Sequence, residues 1–419
     1  MANVRIVYPR NLNDAIAEVR KISYDARVVR SMASEVFHLC MFIEDIPYFV
    51  AGIVKQEMLH NGGSAIIYND SLNESLENTD MLITGNFAQI NNLSTKLLSQ
   101  PGGLSDVGLK IQFAVQAVEK REQSFYCCGK YKLEIGKKTF IMGILNITFD
   151  SFSGDGLLAE EGQDGLFKGT INKPSSGRCV IDKALLIDMA CRKAEKMVAD
   201  GADIIDVGGE STRPGFIAVD DKEELSRVIG VVERLVKTLN VPISVDTSKS
   251  YVAENVLKAG AHIINDVNGL RDPKIGKLAA SYGAGVIAMH NPSEPMRDDI
   301  FSGLIKSLKK SADVALQLGL HPENIALDPG IGFGKTLEQN LEVIRRLDEL
   351  KCLGYPILLG TSRKSMIGNI LNLPVNERVE GTAATIALGI AKGVDFIRVH
   401  DIKEMHRVTK MSDAIIRGI

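Results

Sequence analysis

The side chains best equipped for chemistry in this chain stand one at a time, at or near the ends of short apolar runs. Asn146, Asp206, Asp246, Asn265, Met289, Asp328 and Arg398 occupy such positions. A carboxylate accepts from N–H groups, an amide both donates and accepts, and a guanidinium holds anions in a planar fork. Asn146 could also offer its amide oxygen to a hard metal ion. Any one of these residues has an ordinary reading as a turn former or helix cap. Seven of them on one rim would make a site.

The elements that must position them repeat. Aliphatic runs at 141–146, 203–207, 242–246, 261–265, 284–289, 324–328, 356–360 and 395–399 read as strands buried on both faces. Helical periodicity lies between many of them, at 183–199, 223–239, 251–259, 304–318 and 337–350. Eight strands with helix-length crossovers predict a closed parallel (β/α)8 TIM barrel, with the polar strand ends on its carboxyl-terminal face. The run Ile204-Ile205-Asp206-Val207-Gly208-Gly209-Glu210-Ser211-Thr212-Arg213-Pro214-Gly215 shows the pattern best. The strand stops at two glycines, and charged and hydroxyl side chains follow at once.

The remaining sequence limits the possible classes of function. A net charge of −3 over 419 residues supplies no basic field for nucleic acid or an anionic membrane. No apolar run reaches membrane-spanning length, so a cytoplasmic protein is expected. The six cysteines include no C-x-x-C pair and are expected to be reduced thiols. Residues 1–120 form a separate small α/β domain, with a strand at 4–8, helices at 12–22 and 49–59, and apolar runs at 64–68 and 81–84. This segment shows no motif for chemistry, and packing or assembly is its expected role. The barrel domain covers 121–419, and it opens with a hairpin around Tyr126–Ile135 that could plug the amino-terminal end. A polar, glycine-rich connection runs from the first barrel strand to about 182, longer than a simple turn requires.

From Met142 onward the chain resembles the dihydropteroate synthases of the pterin-binding barrel family. The resemblance rests on 142–153, 201–215, 245–247, 260–269, 328–341, 359–368, 381–389 and 398–404, which follow one another in family order. It implies condensation of a pterin methyl diphosphate with 4-aminobenzoate, in a protein expected to be a homodimer. Reading a pterin edge needs carboxylates, an amide and an ammonium, and Asp246, Asn265, Asp328 and Lys364 supply them. Met289 and Phe333 could pack on the ring faces. Arg398 and His400 alternate along the last strand and would share the diphosphate. The resemblance implies Mg2+ near Asn146, and it implies that Ser365 and Thr212 lie near the second substrate. It also implies that Asp150 and Arg213 pair as the first two loops close, serving the reaction with Lys364. Arg363 could belong to the site or to a surface or subunit contact.

The stretch Asp328–Thr336 imitates a nucleotide phosphate loop, but Pro329 stands where that motif needs its first glycine. Three departures from the family pattern lie in the first loop. Phe149 replaces a usual proline, Gly154-Asp155-Gly156 is reordered, and 157–182 appears as an insertion of about twenty residues. Two other functions share parts of this pattern. A methyltetrahydrofolate methyltransferase shares the barrel but has no use for the Lys364 and Arg398/His400 groups, and a silent pterin-binding protein would not need the full set.

Overall fold

The computed structural model describes residues 4–23, 25–67, 77–119, 125–147, 183–210, 219–292 and 299–418. The chain divides into two compact units, Met1–Arg121 with Lys351–Gly354, and Glu122–Leu350 with Tyr355–Ile419.

In the first unit, strands β1 (His38–Pro47), β2 (Ser64–Ile67) and β3 (Asn78–Asn86) form an antiparallel sheet in the order β1-β3-β2. Thr79, Met81, Ile83 and Gly85 of β3 are buried while their neighbours are more exposed, so one face is covered, as period-two alternation requires. The covering core takes Val50, Val54 and Met58 from helix Tyr48–His60, and Ile90, Leu93 and Leu97 from Phe87–Leu98. The strand expected at 4–8 is not formed. Val4, Ile6 and Tyr8 are 94%, 76% and 80% exposed, and alternation without a pairing strand and a core does not make a strand. Strand β1 and helices Ala26–Val36, Phe87–Leu98 and Leu104–Glu119 lie beyond the elements expected from the sequence.

The second unit opens with the hairpin β4 (Phe125–Cys128) and β5 (Tyr131–Glu134). Eight parallel strands follow: β6 (Phe140–Asn146), β7 (Ile204–Gly208), β8 (Ile243–Asp246), β9 (Ile263–Asp266), β10 (Gly285–Met289), β11 (Ile325–Asp328), β12 (Leu358–Leu359) and β13 (Phe396–Val399). They run in sequence order around the sheet, with β13 pairing back onto β6. A parallel bridge between Leu327 and Ile357 nearly closes the remaining gap, so this is the expected (β/α)8 barrel. Helices Lys183–Ala199, Asp221–Thr238, Ser250–Lys258, Pro273–Tyr282, Ile300–Gln317, Leu337–Arg345, Val379–Ala391 and Ile402–Arg417 follow successive strands. The helix expected over 337–350 stops at Arg345 and gives way to a tighter turn at Leu347–Leu353.

The hairpin fills the amino-terminal end of the barrel. Tyr126, Cys128 and Ile135 join Phe140, Met142, Ile204, Ile263, Ile287 and Phe396 in one buried cluster. The Tyr126 and Phe396 rings meet edge to face at 5.3 Å. His262 belongs to this end. Its Nδ1 accepts from Ile243 N at 3.1 Å, and burial lowers its pKa to about 4, so it is structural. With this end plugged, the open end of the barrel is the carboxyl-terminal one. Among the described residues no helix is long and apolar enough to cross a membrane.

Candidate active site at the carboxyl-terminal mouth

Strand register makes the rim. Asn146 pairs with Gly208, Gly208 with Asp246, Asp246 with Asn265, and Met289 with Asp328, so residues far apart in sequence end level with one another. Gly208 keeps the space beside Asn146 open, since a Cβ there would stand 3.2 Å from the Asn146 Oδ1. Gly360 lies between Asp328 and Arg398, where a Cβ would meet both at ordinary contact distance.

Inside the rim, Arg398 reaches across the barrel. Its Nε donates to Asp206 Oδ2 at 2.6 Å and its Nη2 to Asp246 Oδ2 at 2.7 Å. Asn265 Nδ2 donates to the same Asp206 oxygen at 3.2 Å. Both carboxylates are buried, and among the described residues their Oδ1 atoms have no hydrogen-bond partner. Two buried acceptors left open are costly unless a ligand donates to them. Burial pushes the Asp246 carboxyl up; Arg398 opposes the shift, while Asp206 and Glu224 add to it. Burial alone would lower the Arg398 guanidinium, but the two carboxylates hold it above its ordinary value. One cation thus serves two acids.

The opposite wall is built on the turn after β11. Asp328 is buried, its Oδ1 accepts from Gly330 N at 2.7 Å, and burial raises its carboxyl against the pull of that bond and of Lys364. Gly330, Gly332 and Gly334 all have positive φ, as a turn this tight demands. Lys335 Nζ donates to the carbonyls of Gly330 (2.8 Å) and Phe333 (3.2 Å), and burial lowers its pKa to about 8. Asn340 accepts from Gly332 N at 2.6 Å and donates to Thr336 O at 2.6 Å. So braced, the turn sets the Phe333 ring 4.2 Å from the Lys364 Nζ, a cation–π contact.

Lys364 and His400 sit on neighbouring turns that are fastened together. Arg363 pairs with Asp401 through Nε (3.0 Å) and Nη2 (2.5 Å), and Ser362 Oγ lies 2.9 Å from His400 Nδ1. Arg363 holds a left-handed backbone at φ 56°, which turns the chain so that Lys364 follows. Arg378 Nη1 secures the carbonyl of Arg363 at 3.0 Å and that of Lys364 at 3.3 Å. Within the chain, Arg363 is a partly buried strut beside Lys364.

Of the residues selected from sequence, Asn146, Asp246, Asn265, Met289, Asp328, Phe333, Lys364, Arg398 and His400 all lie on strand ends or following turns of this mouth. Ser365 is exposed, as the first residue of helix Ser365–Leu371. Asp150, Thr212 and Arg213 lie outside the described residues, as do Phe149 and 157–182. The sequence marks Asp206 at a strand end without giving it a role, offers Ser362 only as one of the Thr-Ser-Arg neighbours of Lys364, and gives no part to Lys335 or Asp401. The run Ile-Ile-Asp-Val was the available signal for Asp206, since an acid inside a buried strand needs a partner. Another overlooked cluster stands at the root of the second loop. Lys249 Nζ meets Glu210 at 3.0 Å, Glu224 at 2.7 Å and the Val219 carbonyl at 2.7 Å.

A (β/α)8 barrel plugged at one end, with buried carboxylates, an ammonium and an aromatic ring at the other, has the layout of the barrel enzymes. Comparison with known proteins narrows the class. The profile of the family described as "Pterin binding enzyme" matches residues 169–400. The dihydropteroate synthase of Clostridium beijerinckii is 45% identical over 291 residues, covering 69% of this chain and 98% of that protein. A crystal structure of the Clostridium difficile dihydropteroate synthase, in the presence of pteroic acid, is 47% identical with a TM-score of 0.59, covering 68% of this chain and 98% of that one. A probable bifunctional folylpolyglutamate synthase/dihydropteroate synthase of Halobacterium salinarum is 37% identical over 378 residues, covering 88% of this chain and 42% of that protein. The chain belongs to the dihydropteroate synthase family of pterin-binding enzymes, and it is a transferase.

Proposed function

We propose that the mouth residues divide the work of dihydropteroate synthesis between a ring end and a tail end. The reaction joins 6-hydroxymethyl-7,8-dihydropterin diphosphate to 4-aminobenzoate. At the ring end, Asp246 and Asp328 accept from the pterin N–H edge, Asn265 and Lys364 complement its acceptors, and Met289 and Phe333 pack on its faces. The observation that carries this reading is Asp246, a buried carboxylate held through Oδ2 by Arg398 whose Oδ1 has no partner among the described residues.

At the tail end, His400 and Arg398 take the diphosphate. Among the described residues Arg398 uses Nε and Nη2 on the two aspartates, and its Nη1 is proposed to meet a ligand oxygen. Charge growing on the departing oxygen is met by donors already in place. The C–O bond at the pterin methylene breaks with its electron pair leaving on diphosphate. The aniline nitrogen then bonds to that carbon and gives its extra proton to water. The proposed roles of Asp150, Thr212, Arg213 and Ser365 are to cover the departing group and shape the 4-aminobenzoate pocket.

Among the described residues no cluster of three His, Cys, Asp or Glu could hold a metal ion unaided. The single amide oxygen of Asn146, with the space Gly208 leaves beside it, suits Mg2+ that keeps waters and enters with diphosphate oxygens. When bound, that ion would neutralise charge on the leaving group. We also propose that residues 1–120 are an appended domain that supplies surface, that 121–419 carries the activity, and that the cytoplasmic enzyme is a homodimer. The test is diphosphate release measured with each substrate alone and with both, with and without Mg2+. Release only with both substrates, abolished by chelation, is expected. Release from the pterin diphosphate alone at the same rate would overturn the assignment.

A further inference from the structure

We propose that Ser362 is a positioning residue that fixes which ring nitrogen of His400 carries the proton. The argument is an accounting of one buried hydroxyl. Ser362 is 6% exposed, and among the described residues two contacts are found at its Oγ: His400 N donates to it at 3.1 Å, and His400 Nδ1 lies 2.9 Å away. A serine hydroxyl has one proton to give and two lone pairs. The backbone N–H occupies one lone pair. If Nδ1 also carried a proton, it would occupy the second, and the hydroxyl proton would be left buried without an acceptor. That arrangement costs the desolvation of a polar group. Giving the hydroxyl proton to Nδ1 satisfies both partners. The neutral imidazole is then protonated on Nε2, because the bond made by one ring nitrogen decides the state of the other.

The fastening beside it holds the geometry. Asp401 follows His400 and Arg363 follows Ser362, so the bidentate Arg363–Asp401 pair fixes the distance between the two turns that the Ser362–His400 contact spans. Arg378 and Thr382 anchor the Arg363 turn from behind, at 3.0 Å to its carbonyl and 3.1 Å from its N–H. The serine is therefore brought to the imidazole by rigid backbone.

The consequence rests on the tail-end role proposed above for His400. A ring held as the Nε2–H tautomer is a ready donor to a diphosphate oxygen, with no change of tautomer needed as charge develops. Ser362 touches no substrate in this scheme and acts through His400.

The test combines spectroscopy with kinetics on the full chain. Protein carrying 15N-labelled histidine is compared with His400→Gln, which identifies the His400 ring signals among those of the seven histidines. At a pH where the ring is neutral, the wild-type His400 is expected to show an unprotonated Nδ1 and a protonated Nε2. Ser362→Ala should mix the two tautomers and lower kcat/KM for the pterin diphosphate on the order of tenfold, with KM for 4-aminobenzoate unchanged. Ser362→Thr, which keeps the hydroxyl, should restore both. A wild-type ring protonated on Nδ1 would overturn the proposal, as would a Ser362→Ala spectrum with the tautomer unchanged. The wild-type spectrum decides even if a variant does not fold. Failure of wild-type diphosphate release would strike the functional reading alone and leave the tautomer result standing.

Discussion

Replacing Arg398 with Met removes the cation that, among the described residues, is bonded to both buried acids. Met fills much of the same space, so the loss is one of charge and hydrogen bonds. Breaking a buried ion pair by removing one partner costs roughly 3–5 kcal/mol. Asn265 still donates to Asp206 after the change, and the Arg398 side chain is 18% exposed, which places the expected loss near the lower end, about 3 kcal/mol. The loss depends on pH with a definite sign. Burial raises the Asp246 carboxyl from 3.8 to about 7, so the folded chain holds a proton that the unfolded chain has released. Stability tied to that group is present below the ordinary carboxylate range and falls as pH rises through the folded-state value. Without Arg398 the folded-state value climbs further, and the variant loses up to about 1.4 kcal/mol more per pH unit for each extra bound proton. Urea unfolding followed by circular dichroism at about pH 5.5 and about pH 8 reads this directly. The gap between variant and wild type should widen at the higher pH, and Arg398→Met with Asp246→Asn should recover part of it. An equal gap at both pH values, or no recovery, refutes the claim that one guanidinium serves both acids.

Three further outcomes are expected. Lys364→Ala should lower kcat/KM in the diphosphate-release assay on the order of a hundredfold and weaken pterin binding, and unchanged values would remove Lys364 from the site. Gly330→Ala should destabilise by about 2–4 kcal/mol, because φ is 66° and the His290 carbonyl occupies the Cβ position, whereas Gly102→Ala, at φ 64° with open space, should cost only about 1 kcal/mol. Thermal or urea unfolding of the two variants checks the contrast. Lys335 is held near 8 by burial, so between that value and its ordinary 10.5 the unfolded chain binds more protons and folding gains as pH rises. Relative to Lys335→Met, the wild type should gain stability between about pH 8 and about pH 10, by at most about 1.4 kcal/mol per unit; a flat difference in unfolding midpoints would contradict this.

The barrel was legible because its strands are short aliphatic runs that stop at polar residues, a pattern a buried parallel sheet imposes on sequence. All eight observed strands lie within about two residues of expectation at each end, β12 being the shortest at Leu358–Leu359. Helix Val379–Ala391 was not assigned, since its run of Ala, Gly, Thr and Ile shows little helical contrast between faces. Helix Ser365–Leu371 is too short for periodicity to register. In the first unit, 4–8 alternates like a strand but pairs with none among the described residues, while β1 is not expected from the sequence.

Site residues were legible to the extent that they mark strand ends. Their partnerships were not. That Arg398 would cross the barrel to Asp206, 192 residues away, depends on side-chain reach inside a closed ring. The Ser362–His400 contact likewise needs two adjacent turns brought into register. Types and spacings place a residue on a rim, but they do not say which neighbour it will meet.

The most direct measurement is a structure of the protein with the pterin diphosphate bound. The ring's N–H edge should lie within hydrogen-bond reach of the Asp246 and Asp328 carboxylates, with the diphosphate at His400 and Arg398. A ligand bound elsewhere, or at the mouth with its ring at the tail end and its phosphates against the aspartates, would contradict the account.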